Sequence, residues 1–434
     1  MDQQLKEISM KHLTILFALM LWSLPALAGE PTIGSLLKAV AEQPDIKAST
    51  LDVQATDTRL RQAHAELFPK LTAFGSYEFY NSPTNLRPMP PTEVNIAGGE
   101  SIPFSKQITR YGLRVDMPIF IKKLYTLADQ VRQLQQASRA GHKLRLVTRQ
   151  ASVISLNAAL AFNGHLDKAI AARIESLRKT RDDLQVAVNN GRTSEAELLK
   201  VETLLNDLNK QRNDLQRQAI SLKNQLLQLT GIRLEHFVMM TQKRPVAEGE
   251  FLKLTQQKAE VAATEKELQG EKDRRFPVLK LEGVVSGNRG EAYNTGSSID
   301  RDYDYLGIKL SLPIFDRSLS TSIDQAEIRL RRKRQQLAQL RIDLTSEAAS
   351  LKNQLPVIDR SNKLAQTTLD NNRRLLDIAK VAYRNGRMST EEYLRFETGV
   401  LDAEAALHQT HVDHWQVISQ LAVLYGDDLT GVVQ

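Results

Sequence analysis

The chain has 434 residues, a mean hydropathy of −0.35 and a formal charge of +7, with 41% hydrophobic and 25% charged residues. It has no apolar run of about 18 residues or more, which excludes a polytopic helical membrane protein. It also has no cysteine, which excludes a disulfide framework, a thiolate zinc site, a cysteine nucleophile and a lipidated N-terminal cysteine.

At the N-terminus, Met10, Lys11 and His12 precede an apolar stretch from Leu13 to Leu24, and Ala26-Leu27-Ala28 follows. This is the form of a secretory signal peptide over residues 1–28, with Met10 the better start. The mature chain is therefore expected outside the cytoplasm.

The rest of the chain is a duplication. At an offset of 195 residues, ten of the eighteen positions from 186 to 203 are identical, including Asn190-Gly191-Arg192 with Asn385-Gly386-Arg387. Pro118, Phe120 and Gly231 recur as Pro313, Phe315 and Gly426, and Phe68-Pro69 recurs as Phe276-Pro277 at offset 208. The first copy thus holds about thirteen extra residues between its two short segments. The expected division is a first repeat over 29–231, an equatorial linker over 232–249, a second repeat over 250–426 and a short tail over 427–434.

Each copy reads helix, strand, loop, strand, long helix, turn, shorter helix. Leu319, Ile323, Ala326, Leu330, Leu337, Leu344, Leu351 and Ile358 follow the spacing of a coiled-coil seam. Leu144, Val147, Ala151, Ile154 and Ala158 do so in copy one, and Leu198, Val201, Leu205, Leu208 and Leu215 in its return helix. A helix from Ser318 to Tyr383 would be about 100 Å long, which is a rod or part of a tube. Pro356 lies inside it and is expected to kink or locally unwind it.

Tyr111 to Met117 and Leu306 to Leu312 alternate apolar and polar residues, and Leu71 to Tyr80 and Val278 to Val285 do so more loosely. Each is about ten residues, the length of a tilted strand crossing a bilayer. Tyr77, Phe79, Tyr80, Tyr111, Tyr293, Tyr303 and Tyr305 gather near the loop ends, as an aromatic girdle would. A hairpin packed on helices in the periplasm is the alternative. Asn81 to Ser105, with five prolines, and the polar stretch Ser286 to Asp302 read as exposed loops. Four strands cannot close a barrel, for which about eight is the minimum, so spanning strands require several chains.

These features resemble the outer-membrane efflux protein family, the TolC-like channel-tunnels. The resemblance rests on the tandem repeat, the Phe-Pro-x-Leu motifs at 68–71 and 276–279, the Pro-Ile-Phe motifs at 118–120 and 313–315, and the Gly-Arg turns. It implies a mainly α fold with a small β part, in which long coiled-coil helices form a periplasmic α-barrel. Four transmembrane strands per chain would be shared in a 12-stranded trimeric barrel. It further implies an outer-membrane location with a large periplasmic portion and contact with outer-membrane lipid. The partners implied are a periplasmic adaptor and an inner-membrane pump of RND, ABC or MFS type. The rival readings are a periplasmic coiled-coil adaptor and a purely structural coiled coil.

The resemblance assigns adaptor docking to Asn190, Gly191, Arg192 and Thr193 and to Asn385, Gly386, Arg387 and Met388. The residues alone read as helix ends. Gly191 and Gly386 suit the left-handed position, and Ser194 with Glu197 and Ser389 with Glu392 spell capping boxes. Glu392 also falls where the family constricts its periplasmic end, and either role is open. The next such position is Arg395, a departure from a doubly acidic gate that leaves a Glu-Arg lock between chains as the alternative. His408, His411 and His414 stand at spacings of three. Two of them can share a metal, but the third rotates away, and solvated or interface histidines are the preferred reading. The basic run Arg329, Arg331, Arg332, Lys333 and Arg334 reads as a solvated face, with no nucleic-acid partner. No catalytic motif is found and no cofactor is expected, as befits a passive conduit.

Overall fold

The computed structural model describes residues 31–434 apart from 91, 93 and 94, so the signal-peptide expectation lies outside the described residues. The first repeat runs α1 (Ile33–Ala41), α2 (Pro44–Ala65), β1 (Lys70–Asn85), β2 (Phe104–Phe120), α3 (Lys122–Asn189) and α4 (Glu195–Thr230). The second runs α5 (Leu252–Asp273), β3 (Val278–Glu291), β4 (Ser298–Ser311), α6 (Arg317–Arg384) and α7 (Thr390–Tyr425). The duplication holds to the residue: α2 and α5 have 22 residues each, α3 and α6 have 68, and α4 and α7 have 36. Prolines 69 and 277 stop the preceding helix and open β1 and β3, because proline cannot donate the next helical hydrogen bond.

The long helices span about 100 Å each. Their seams pair in two tiers. In the lower tier, Ile170, Ile174, Leu177 and Leu184 of α3 close on Leu198, Val201, Leu205 and Leu208 of α4. The same tier of the second repeat joins Leu369 of α6 to Ala403 and Leu407 of α7. In the upper tier, Val261 and Leu268 of α5 pack on Leu319, Ile323, Ala326 and Leu330 of α6. The helix α6 is continuous through Pro356, so the expected unwinding does not occur. Packing of the seam on both sides of the proline outweighs its one missing donor.

At mid-height the seams merge into the largest core. It joins Leu36, Leu37 and Val40 of α1, Val147 and Ile154 of α3, Leu226 of α4 and Ile418 of α7 with Leu429, Val432 and Val433. The linker 232–249 is held to the tail by the bidentate Arg244–Asp427 pair at 2.6 and 2.7 Å and by the bridge Gln242↔Val433. What reads in sequence as a short tail is part of the core.

The four strands form one antiparallel sheet in the order β1-β2-β3-β4. They are 14 to 17 residues long, longer than the sequence pattern marked. Most of 286–302, expected as a loop, is strand, and only 292–297 connects β3 to β4. The glycines and polar residues there are paired in the ladder, from Ser286↔Tyr303 to Glu291↔Ser298. The extra residues of copy one lie in the longer connection 86–103.

Candidate functional site

Three regions carry the candidate residues: the turns at the far end of the helices, the histidines along α7, and the sheet.

Both turns close their helix in the same way. Gly191 and Gly386 have φ of +68°. Arg192 N–H donates to the Ala187 carbonyl at 2.8 Å and Gly191 N–H to that of Val188 at 2.9 Å. Arg387 and Gly386 repeat this on Ala382 and Tyr383, both at 2.9 Å. This paired closure satisfies the last helical carbonyls and requires a residue that tolerates positive φ. A Cβ at either glycine would meet nothing within 4 Å, so the backbone alone demands glycine. Asn190, Arg192, Asn385 and Arg387 are exposed, and Thr193 and Met388 partly so.

The helix starts differ. Ser389 and Glu392 form the complete capping box, with Glu392 N–H donating to Ser389 Oγ at 3.2 Å and Ser389 N–H to Glu392 Oε2 at 3.0 Å. The backbone N–H of Ser389, then its hydroxyl, hold the Glu392 carboxyl below its ordinary range. Ser194 makes no such bond, so the expected first box is absent. Glu197 turns instead to Lys200 at 3.0 Å. Arg395 pairs with Glu391 at 3.7 Å within its own helix, while Glu392 is engaged as a cap.

Above the turns, a buried polar cluster joins the repeats. Arg173 of α3 donates to Thr398 Oγ1 at 2.8 Å, and Glu397 accepts from Ser176 at 2.8 Å and from Tyr393 at 2.6 Å. Burial, then the bond to Glu397, pushes the Tyr393 hydroxyl up to about 12. The repeat pattern marked Glu397 only as a match to Glu202; its burial follows from α3, which no local pattern predicts.

His408 stacks flat on His165 of α3, with centroids 4.1 Å apart and planes 3° from parallel. His411 stands edge-on at 6.0 Å, and His414 lies on another side, against Trp415 and 3.8 Å from Asp359. The described residues contain no group of three or more metal-binding side chains. His165 is the partner that sequence spacing missed. Three residues of the basic run meet the acidic face of α5, Arg329–Glu267 and Lys333–Glu260 at 3.0 Å and Arg334–Glu265 at 2.5 Å, while Arg331 pairs with Glu327 of its own helix at 2.9 Å.

The register gives the sheet two unlike faces. Leu71, Leu113, Val115, Val285, Leu306 and Ile308 share one, with Tyr77, Phe79 and Tyr111 towards the loop end. They are mostly exposed, Leu306 at 75%. From Leu71 to Phe79 this face covers about 26 Å of strand, close to the apolar band of a barrel wall. The opposite face carries Thr72, Glu78, Arg110, Arg114, Asp116, Lys280, Glu282 and Lys309. The sheet is an open one, ending in β1 on one side and β4 on the other. No described helix is long and apolar enough to cross a membrane.

An open, two-faced sheet set on duplicated coiled-coil rods defines the TolC-like channel fold. Residues 247–426 match the family model described as outer membrane efflux protein. Among solved structures, the outer-membrane channel OprN is 17% identical with a TM-score of 0.77, over 92% of this chain and 90% of that one. The Campylobacter jejuni CmeC outer membrane channel is 17% identical at 0.75, over 92% and 85%. The outer membrane protein VceC from Vibrio cholerae is 16% identical at 0.76, over 92% and 96%. No curated protein sequence matches the chain.

Proposed function

We propose that this chain is the outer-membrane channel of a tripartite export system, a passive conduit for cargo delivered by an inner-membrane pump through a periplasmic adaptor. The observation that carries this reading is the sheet. One face is exposed and apolar at strand length, the other is polar, and the strands β1 and β4 bound it on either side. Long unpaired edges invite pairing with another chain, and three copies meeting edge to edge would close twelve strands with the apolar face towards lipid. The helices beneath would continue the wall through the periplasm. A periplasmic adaptor or a structural rod needs no such face.

Membrane fractionation and electrophoresis with and without heating test the reading. An outer-membrane, heat-modifiable trimer is expected, and a soluble periplasmic monomer would overturn it. The turns 190–193 and 385–388 are the proposed adaptor contacts, presented by a closure that uses the backbone N–H of Arg192 and Arg387 and leaves both residues exposed. Glu392 serves as a helix cap in each chain, and in a trimer the three caps would stand as an acidic ring at the periplasmic end. Replacing Gly386 with valine puts a β-branched residue at positive φ, at a cost of about 1–2 kcal/mol. Export should be lost while trimers persist. Loss of the trimer instead would make the turn purely structural.

A further inference from the structure

Asn81 to Ser105 reads in sequence as an exposed loop, yet the start of the connection 86–103 is folded onto the polar face of the sheet. Leu86 is completely buried against Ile108, Ile299, Ala292 and Tyr80. Ile108 and Ile299 lie on the polar face by register, through Glu78↔Ile108↔Gly290↔Ile299. Arg110, from the same face, ties the start of the loop to the sheet. Its Nε donates to Glu78 at 3.0 Å, Nη1 to Asn288 at 3.0 Å and to the Leu86 carbonyl, and Nη2 to the Asn85 carbonyl at 3.2 Å.

The far end of the loop is held as well. Ile102 N–H donates to Asn294 Oδ1 at 2.9 Å, Asn294 Nδ2 to the Glu100 carbonyl at 2.9 Å, and Ser101 Oγ lies 2.6 Å from Ser297 Oγ. Tyr293 N–H donates to the Phe104 carbonyl at 2.8 Å. Prolines 88, 90 and 103 restrict the backbone at three described positions of this segment. Both ends of the loop are thus fixed to the wall, one by a fully buried anchor and the other by hydrogen bonds to the β3–β4 turn.

We infer that this loop is an inward-folded constriction of the channel's outer mouth, with Arg110 as its positioning residue, and that it sets the size of solute that can enter from outside. The inference rests on the proposed channel, in which the polar face lines the lumen. The loop sits at the strand ends opposite the helices, so three copies would converge on the outer opening. An engineered thiol can report on it, because the chain has no cysteine.

Thr72→Cys places that thiol on the polar face, near the helix end of β1 and below the loop. Intact cells are treated from outside with a small maleimide and with a bulky polyethylene-glycol maleimide. With the native loop, the small reagent should label and the bulky one should be excluded. Arg110→Ala should admit the bulky reagent. Deletion of residues 89–100 leaves Arg110 in place and should do the same, which covers the case of a poorly folded Arg110 variant. Equal labelling by both reagents with the native loop would overturn the inference, as would exclusion that persists after deletion of the loop. If even the small reagent fails to reach the thiol in the shortened variant, the face lines no outward-open lumen. The channel reading then falls, and the inference with it.

Discussion

Two serines at equivalent positions have unequal roles. Ser389 completes a capping box and Ser194 does not, and Glu197 is held by Lys200 instead. Ser389→Ala should cost about 1 kcal/mol, the usual loss for a removed cap, and Ser194→Ala much less. Thermal melts of the two variants check this, and equal losses would show that the first box forms in solution. The stacked histidines give a pH dependence of definite sign. Burial, followed by the charges of His165, His411 and Arg373, pushes His408 down to about 4, and burial with Lys168 lowers His165. Arg373 is itself paired with Glu404 at 2.6 Å. Both rings are therefore neutral in the folded chain, which binds fewer protons there than the unfolded chain. Their contribution is intact above the ordinary histidine value of about 6.5 and is lost as pH falls towards 4. The melting temperature of the native protein should drop more steeply across that window than that of a His165→Gln/His408→Gln variant.

Among elements, the contact between α3 and α7 encloses two buried charges, Arg173 and Glu397, each 5% exposed. Glu397→Leu removes the carboxylate whose charge acts most strongly on the buried Arg173 guanidinium and should destabilise by about 3–5 kcal/mol, the usual loss when a buried charge loses its counter-charge. Adding Arg173→Met should recover much of the loss, so the double variant should melt above the single one. This contact also shows where sequence reading stops. The helices were legible because seam leucines at spacings of three and four encode their partner face within one segment, and the repeat doubled every such signal. Strand length was not legible, because Ser286, Gly287 and Asn288 look like loop residues until Tyr111, Arg110 and Tyr303 are beside them. Nor was the continuity of α6 at Pro356 or the identity of His165 as a partner, since both depend on a helix distant in sequence. At the turns, the glycine conformation could be read from residue type alone, and the failure of the Ser194 cap could not.

For the whole molecule, the sheet makes a sharp distinction between its faces. Leu113→Arg puts a charge on the apolar face and should cost about 2–4 kcal/mol at the bilayer midplane. Thr72→Arg, on the polar face one strand away, should be tolerated. The yield of heat-modifiable trimer in the outer-membrane fraction measures both, and similar yields would show that the first face does not meet lipid.

The mid-height core has a consequence for biogenesis. A chain is made N-terminus first, yet the core that holds Leu36 and Leu37 is completed only when Leu429, Val432 and Val433 arrive. The belt cannot be sealed co-translationally, because its first and last strips are made at opposite times. Contacts of such separation form slowly, and until then bare leucine seams stay exposed, the kind of surface that invites aggregation. On the proposed export route the chain should therefore need a holding partner until the final few residues of the polypeptide arrive.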